Sequence, residues 1–185
     1  GKIVAKGKIE VSDKDGKNQT VEAKHIIIAT GARSRELPTM KIDGKKIIGY
    51  REAMVLPEIP KSMVIVGSGA IGVEFAYFYN SMGTKVTIVE FLPRIVPVED
   101  EDISKELEKS YKKNGITIKT SSEVTSVDTS GNGVKATVKS ATGETVLEAD
   151  VLLSAVGVTA NIEGIGLETL GIKIDKGRVM VDKYG

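Results

Sequence analysis

Three glycines with the spacing Gly-x-Gly-x-x-Gly stand between an apolar stretch and a segment of helical periodicity: Gly67, Gly69 and Gly72. In such a motif the first glycine permits a tight strand-to-helix turn, and the second lets a phosphate approach the backbone. The third lets the helix pack closely on the sheet, while the helix N-terminus attracts phosphate oxygens. The spacing therefore predicts a binding site for the pyrophosphate of a dinucleotide, and we include Ile71 among its contacts.

An acidic residue, Glu90, ends the next predicted strand and lies 18 residues after Gly72. A carboxylate at this distance along the chain accepts hydrogen bonds from the adenosine ribose. Because a carboxylate also repels a 2′-phosphate, we predict a preference for NAD(H) over NADP(H). The alternatives are a solvent-exposed strand end for Glu90 and a structural turn without a ligand for the glycines.

From Pro60 onward, apolar strands alternate with helical segments, which is typical of an α/β fold with a parallel sheet. The predicted strands are 63–67, 85–90, 116–118 and 151–156, and the predicted helices are about 70–82 and 101–113. The first helix is expected to bury a face formed by Ile71, Phe75, Phe78 and Met82. The second begins with acidic residues and ends with lysines, which suits the helix dipole.

Three further strands, at about 123–128, 134–139 and 145–149, are joined by glycine-containing turns. They predict an antiparallel β-meander where a plain Rossmann fold would have another crossover helix. We therefore predict a Rossmann-like α/β domain with a parallel sheet, two flanking helices and a three-stranded meander on the other face.

The first part of the chain predicts a hairpin, with strands at 3–11 and 20–29 around a turn at 13–17. Its second strand ends in the apolar run 26–29, which is typical of a buried strand. Residues 33–60 are polar and punctuated by proline, which predicts a linker with one short helical turn near 52–55. A last strand is expected at 178–181. Because an isolated hairpin is marginal in water, we expect the N-terminal part to belong to something larger.

Composition excludes several classes of function. Lysine plus arginine (26) nearly balance aspartate plus glutamate (25), so the net charge of +1 gives no electrostatic reason to expect binding to nucleic acid or to a membrane. No apolar run reaches the roughly 18 residues of a membrane span. We also expect no signal peptide. Without cysteine, a disulfide and a cysteine nucleophile are impossible in this chain. We expect a cytoplasmic protein without a metal site, in which His25 is structural.

The combination of motifs resembles the flavin-dependent pyridine nucleotide–disulfide oxidoreductases, and among them most closely the enzymes that oxidise dihydrolipoamide. The resemblance rests on Gly-x-Gly-x-x-Gly-x-Glu at 67–74, Glu90, Ala-Thr-Gly at 29–31, the meander and Ser-Ala-Val-Gly-Val-Thr-Ala-Asn at 154–161. It covers nearly the whole chain and corresponds to the middle of such an enzyme. It implies an FAD/NAD(P)-binding fold with these parts: 1–35, the end of a first FAD segment; 36–60, a linker; 61–160, the NAD-binding domain; 161–185, a return toward the FAD domain.

In this family, electrons pass from the reduced lipoyl group to a disulfide, then to FAD, and then as hydride to NAD⁺. The resemblance thus implies an oxidoreductase parent with NAD and FAD as cofactors, which works as a homodimer within a 2-oxoacid dehydrogenase complex. Because this chain has no cysteine, we expect it to be inactive alone. The alternatives are the NAD domain of a transhydrogenase or mercuric reductase type, and a non-catalytic nucleotide-sensing module.

The resemblance also implies roles for single residues. It places Glu74 near the nicotinamide, Val124 against the adenine, Gly157 beside the nicotinamide end of the cleft, and Thr30 and Gly31 on the FAD side. From the residue types alone, Val124 could equally be core and Glu74 an ordinary polar helix residue. Many relatives have Gly-Arg-x-Pro-Asn where this chain has Gly-Val-Thr-Ala-Asn at 157–161, which weakens any transfer of contacts at 158–160.

Overall fold

The computed structural model describes residues 1–184, which form two compact units: Ser34–Gly157, and Gly1–Arg33 together with the described part of 158–185. The strands are β1 (Lys2–Ala5), β2 (Lys8–Ser12), β3 (Asn18–Glu22), β4 (Ala32–Ser34), β5 (Ile47–Ile48), β6 (Ser62–Val66), β7 (Lys85–Val89), β8 (Thr117–Lys119), β9 (Glu123–Asp128), β10 (Val134–Ser140), β11 (Gly143–Ala149), β12 (Val151–Ser154), β13 (Val158–Ala160), β14 (Ile174–Asp175) and β15 (Arg178–Val179). The helices are α1 (Tyr50–Ala53), α2 (Ala70–Ser81) and α3 (Glu101–Lys113), followed by a 3-10 turn at Glu168–Leu170.

The larger unit is built on a five-stranded parallel sheet in the order β5-β12-β6-β7-β8. Strands β9, β10 and β11 form the expected antiparallel meander, and both faces of the parallel sheet are covered. The predicted fold is confirmed: helices pack on one face of a parallel sheet and a three-stranded meander packs on the other.

Alternation along β6 shows how one strand serves two cores. Met63 and Ile65 pack with the helices, whereas Val64 and Val66 pack with the meander. A strand buried on both faces needs an uninterrupted apolar run, which explains its sequence Met-Val-Ile-Val.

Helix α2 has the predicted length but buries a different face from the one expected. Gly72, Val73, Ala76 and Tyr79 are buried, whereas the predicted core residues Phe78 and Met82 are 52% and 51% exposed. The other two, Ile71 and Phe75, are partly buried against the core. Since α2 is apolar around most of its circumference, periodicity could not select a face. The small residues Gly72 and Ala76 permit the closest approach and therefore lie against the sheet.

The stretch expected to be a linker contributes to the larger unit. Its Ile47–Ile48 pair forms β5 at the edge of the parallel sheet, beside β12. Lys46, just before β5, donates from Nζ to the backbone carbonyls of Thr129 (2.6 Å) and Gly131. This side chain ties the sheet edge to the β9–β10 turn. A strand of two residues is too short to show a hydrophobic periodicity, so the sequence pattern did not predict β5.

In the smaller unit, β1, β2 and β3 form an antiparallel sheet. The predicted single strand 3–11 is therefore wrong, because a turn at residues 6–7 divides it into β1 and β2. The turn between β2 and β3 lies where predicted, closed by the Asp13 carboxylate, which accepts N–H bonds from Asp15 and Lys17. The predicted strand 20–29 is wrong in its second half, since β3 ends at Glu22 and Ile27 is 89% exposed. Among residues 1–184 no strand pairs with the 26–29 run, and an apolar run forms a buried strand only beside a partner.

Strands β4 and β13 pair with each other. Beside them, the smaller unit contains an ion pair between Arg33 and Glu163. The Arg33 guanidinium donates to both carboxylate oxygens of Glu163, at 3.2 and 2.7 Å, and to the Asn161 side-chain oxygen at 3.0 Å. The hydrogen bonds from Arg33 hold the pKa of Glu163 at about 2, against an ordinary value of 4.5.

We expect an NMR titration to find Glu163 ionising near pH 2, and Arg33→Gln to return its pKa toward 4.5. Because the folded pKa is below the unfolded one, the stabilisation is present above about pH 4.5 and is lost as pH falls toward 2. Arg178→Gln is the control. An unchanged Glu163 titration in Arg33→Gln would contradict the assignment.

Lys46→Met should lower the free energy of unfolding by about 1–2 kcal/mol, because two carbonyls lose a charged donor. The adjacent, exposed Lys45→Met is the matched control and should leave stability unchanged within about 0.5 kcal/mol. Urea denaturation followed by circular dichroism measures both, and equal midpoints for the two variants would show that the Lys46 contacts contribute nothing.

Candidate functional site

A cleft of about 790 Å³ opens at the carboxyl ends of β12, β6 and β7, wholly within the larger unit. Open α/β sheets bind ligands at this edge, beyond the carboxyl ends of their strands. The lining residues are 35, 37–39, 66–71, 89–92, 122–124 and 155–157. Gly67 and Gly69 of the motif and the acidic residue Glu90 therefore meet in one cavity, whereas Gly72 is not among its lining residues.

The backbone of the glycine motif explains two of its glycines directly. Gly67 has φ +98°, and a Cβ there would lie 2.5 Å from the carbonyl oxygen of Ala155. A Cβ on Gly72 would overlap the carbonyl oxygen of Gly67. Gly69 differs, since a Cβ there would meet nothing within 4 Å. The first and third glycines are thus required by packing, whereas the second leaves open space beside the cleft.

Helix α2 starts at Ala70 without a side-chain cap and without an acidic residue in its first turn. Helix α3 provides the contrast, because Asp100 caps its first turn and Glu101 and Asp102 follow. The positive end of the α2 dipole is therefore not neutralised by a side chain of its own helix, and Gly69, Ala70 and Ile71 at this end line the cleft. Such an end suits an anionic ligand.

Glu90 follows β7 and is only 7% exposed. Its Oε2 accepts hydrogen bonds from the Ser68 amide (2.8 Å) and the Ser68 hydroxyl (2.6 Å), and its Oε1 accepts from the Leu92 amide (2.8 Å). The alternative of a solvent-exposed strand end is therefore wrong. A carboxylate has about four acceptor positions, so one remains for a ligand hydroxyl.

Three other predicted residues lie at the cleft. Ile71 lines it at the start of α2, and Gly157 lines it beyond the end of β12 with φ +110°. Val124 lines it from β9 and is also buried in the core beneath the meander. Both interpretations of Val124 are thus compatible with its position, and its contact with an adenine stays a prediction.

Glu74 and the Thr30–Gly31 pair are not among the residues that line this cleft. Glu74 is exposed on α2. The pKa of Tyr111 is raised mainly by the burial of Tyr111 itself and secondly by the negative charge of Glu74. Thr30 and Gly31 belong to the smaller unit, and their carbonyls accept hydrogen bonds from Asn161 at 3.2 and 3.0 Å. Their predicted nicotinamide and FAD contacts remain predictions.

Ser68 and Arg35 are among the cleft residues that sequence reasoning missed. Ser68 occupies a position of the glycine motif at which any residue type is allowed. Its contact with Glu90 joins residues that are far apart in sequence. Arg35 stood in the expected linker; its amide donates to the Gly157 carbonyl at 2.9 Å, which holds it at the β12 end of the cleft. The lining thus has a cation at one end and Glu90 at the other.

Within residues 1–184, no group of three or more histidine, aspartate or glutamate side chains could hold a metal ion. No helix in that range is long and apolar enough to cross a membrane.

Comparison with known proteins gives consistent results. Residues 2–185 match the family described as pyridine nucleotide-disulphide oxidoreductase. The chain is 50% identical over 167 residues to a dihydrolipoyl dehydrogenase of Rhizobium etli, covering 90% of this chain and 35% of that protein. A dihydrolipoyl dehydrogenase of Zymomonas mobilis is 43% identical over 186 residues, covering 100% and 40% respectively. The chain therefore spans well under half the length of these relatives.

Solved structures agree on the fold. LpdA from Mycobacterium tuberculosis superposes with a TM-score of 0.80 at 33% identity, covering 91% of this chain and 36% of that one. The flavoprotein disulfide reductase RclA from Escherichia coli gives 0.80 at 27% identity, covering 98% and 40%.

The glycine geometry predicts opposite outcomes for two neighbouring substitutions. Gly72→Ala should destabilise the protein by about 2 kcal/mol or more, because its methyl group would overlap the Gly67 carbonyl. Gly69→Ala should change stability by less than about 1 kcal/mol, since its methyl group would meet open space. Thermal unfolding of the two variants checks this, and equal losses would contradict the packing assignment.

Proposed function

Because this chain belongs to the pyridine nucleotide-disulphide oxidoreductase family, we propose that the cleft of its larger unit binds NAD(H) and orients it for hydride exchange with a flavin. The observation that carries the proposal is the Glu90 carboxylate, buried and held by three donors beside the uncapped N-terminus of α2. One cleft thus offers a site for phosphate and a site for a ribose hydroxyl.

The strand order supports one orientation of the dinucleotide. Strand β6, which leads into the glycine motif, lies between β7 and β12. Glu90 follows β7 and Gly157 follows β12, so the two ends of the cleft are separated by two strand spacings, about 10 Å. The pyrophosphate would lie over the end of β6, the adenosine toward Glu90, and the nicotinamide half toward Gly157 and Arg35.

Charge at the Glu90 end supports NAD(H) over NADP(H). A 2′-phosphate would approach a carboxylate that is largely buried, where repulsion between like charges is stronger than at the surface. The residues that line this end, 89–92 and 122–124, include a second carboxylate, Glu123, and no lysine or arginine. Nothing in this lining would neutralise the extra phosphate.

The residues of this chain orient the cofactor and do not react themselves. The nicotinamide ring supplies or accepts the hydride when it is bound. The glycine motif leaves room for the pyrophosphate, the α2 N-terminus stabilises its charge, and Glu90 fixes the ribose. Binding at three points along one ligand positions the ring at the β12 end, which is the contribution that the protein makes to the rate.

We extend the proposal to the longer protein: an enzyme that oxidises dihydrolipoamide with NAD⁺ through FAD and a redox disulfide. The curated relatives named dihydrolipoyl dehydrogenase support it. Since these 185 residues contain no cysteine, the disulfide has no source here, and the chain alone should be inactive. The homodimer, the 2-oxoacid dehydrogenase complex and the cytoplasmic location stay predictions. A different flavin disulfide reductase, such as a transhydrogenase or mercuric reductase type, is the alternative, and a non-catalytic nucleotide sensor stays open.

Calorimetric titration with NADH, NADPH and FAD tests the proposal. We expect NADH to bind, NADPH to bind much more weakly and FAD not to bind. Glu90→Ala should weaken NADH binding by about ten-fold or more, because a hydrogen bond to a charged acceptor is lost. Glu144→Ala, an exposed change on β11 outside the cleft, is the control.

An absence of NADH binding would contradict the proposal, and so would two other results. Equal affinity for NADPH and NADH would refute the role of Glu90. Tight FAD binding would instead identify this cleft as a flavin site.

A further inference from the structure

The contacts of Ser68 give this residue a task that the glycine motif does not require. We propose that the Ser68 hydroxyl is a positioning group that fixes the Glu90 carboxylate and so sets the preference for NAD(H) over NADP(H). This inference rests on the proposed function, since it concerns how the same cleft selects its ligand.

Both donors of Ser68 converge on a single oxygen. The amide and the hydroxyl reach Oε2 of Glu90 at 2.8 and 2.6 Å, and Ser68 is completely buried. Oε2 thereby has both of its acceptor positions occupied by the protein. The other oxygen, Oε1, accepts one bond, from the Leu92 amide. We therefore assign Oε1 as the oxygen that accepts the ribose hydroxyl.

The backbone on both sides of this contact is also held. The Glu90 amide donates to the Lys119 carbonyl at 2.8 Å, and the Glu90 carbonyl accepts from the Ser122 amide at 2.9 Å. The Ser68 carbonyl accepts from the Val96 amide at 2.9 Å. Because the backbones of Glu90 and Ser68 are both held by hydrogen bonds, the Glu90 carboxylate can move only by rotation about the side-chain torsions of Glu90. The Ser68 hydroxyl restricts this rotation.

A fixed carboxylate discriminates better than a mobile one. A glutamate that is free to rotate can turn away from a 2′-phosphate and so reduce the repulsion. A glutamate held by three donors cannot do so without breaking hydrogen bonds, and it is already placed for the ribose hydroxyl of NAD(H). Loss of the Ser68 hydroxyl should therefore weaken NADH binding and relieve the penalty on NADPH.

Ser154 provides a matched control within the same unit. It is buried like Ser68, at the end of β12, but its hydroxyl has no hydrogen-bond partner among the described residues. Removal of either hydroxyl deletes one oxygen from a buried site, yet only Ser68 touches Glu90.

The experiment measures the ratio of the NADPH and NADH dissociation constants by calorimetry. Ser68→Ala should lower this ratio by about three- to ten-fold, the effect of one hydrogen bond. Ser68→Thr, which keeps the hydroxyl, should retain the ratio, and Ser154→Ala should leave it unchanged. In a Glu90→Ala background, Ser68→Ala should not alter the ratio further. A purely structural role would reduce the folded fraction and shift both constants equally.

The outcomes separate this inference from the proposed function. If the unmodified chain prefers NADH and Ser68→Ala keeps the full ratio, the positioning role is overturned and the proposed function stands. A shift in the ratio that persists in the Glu90→Ala background also overturns it, because the effect then does not pass through Glu90. If the unmodified chain binds both nucleotides equally or neither, the proposed function and the inference fall together.

Discussion

The close contact between backbones at the turn from β6 into α2 is the constraint on which the cleft depends. Gly67 lies against the Ala155 carbonyl, and Gly72 lies against the Gly67 carbonyl, at distances that leave no room for a Cβ. These contacts bring the N-terminus of α2 to the carboxyl edge of the sheet. They also determine which face of α2 is buried, because Ala76 and Tyr79 follow Gly72 at helical spacing. The position of the cleft and the buried face of α2 thus have the same cause.

The N-termini of α2 and α3 differ in their electrostatic environment. Asp100, Glu101 and Asp102 satisfy the start of α3 internally, and this acidic cluster is a helix cap. The start of α2 lacks such groups and lies beside the open space at Gly69. The acidic residue beside this helix start is Glu90, which follows β7. Its carboxylate accepts hydrogen bonds from Ser68 and Leu92. The cleft therefore has the positive end of a helix dipole and, separately, a carboxylate with three protein donors and one acceptor position left open.

Patterns that depend on neighbours in sequence predicted much of this structure. The strand–glycine–helix sequence, α3 with its charged ends and the three meander strands are all encoded within short windows, and each lies within a few residues of its predicted bounds. What failed depends on distant partners. The run 26–29 has a strand's composition but no neighbouring strand among residues 1–184, whereas Ile47–Ile48 has almost no pattern and gains its strand from β12.

The same distinction applies inside the site. The glycines and Glu90 could be found because their spacing along the chain reflects a turn and two strands. Ser68 could not, because its contact with Glu90 comes from the parallel register of β6 and β7, which brings residues 22 positions apart together. A motif position that tolerates many residue types carries no signal until its tertiary partner is known. Spacing therefore predicts a class of ligand, whereas contacts such as that between Ser68 and Glu90 are known only from the tertiary structure.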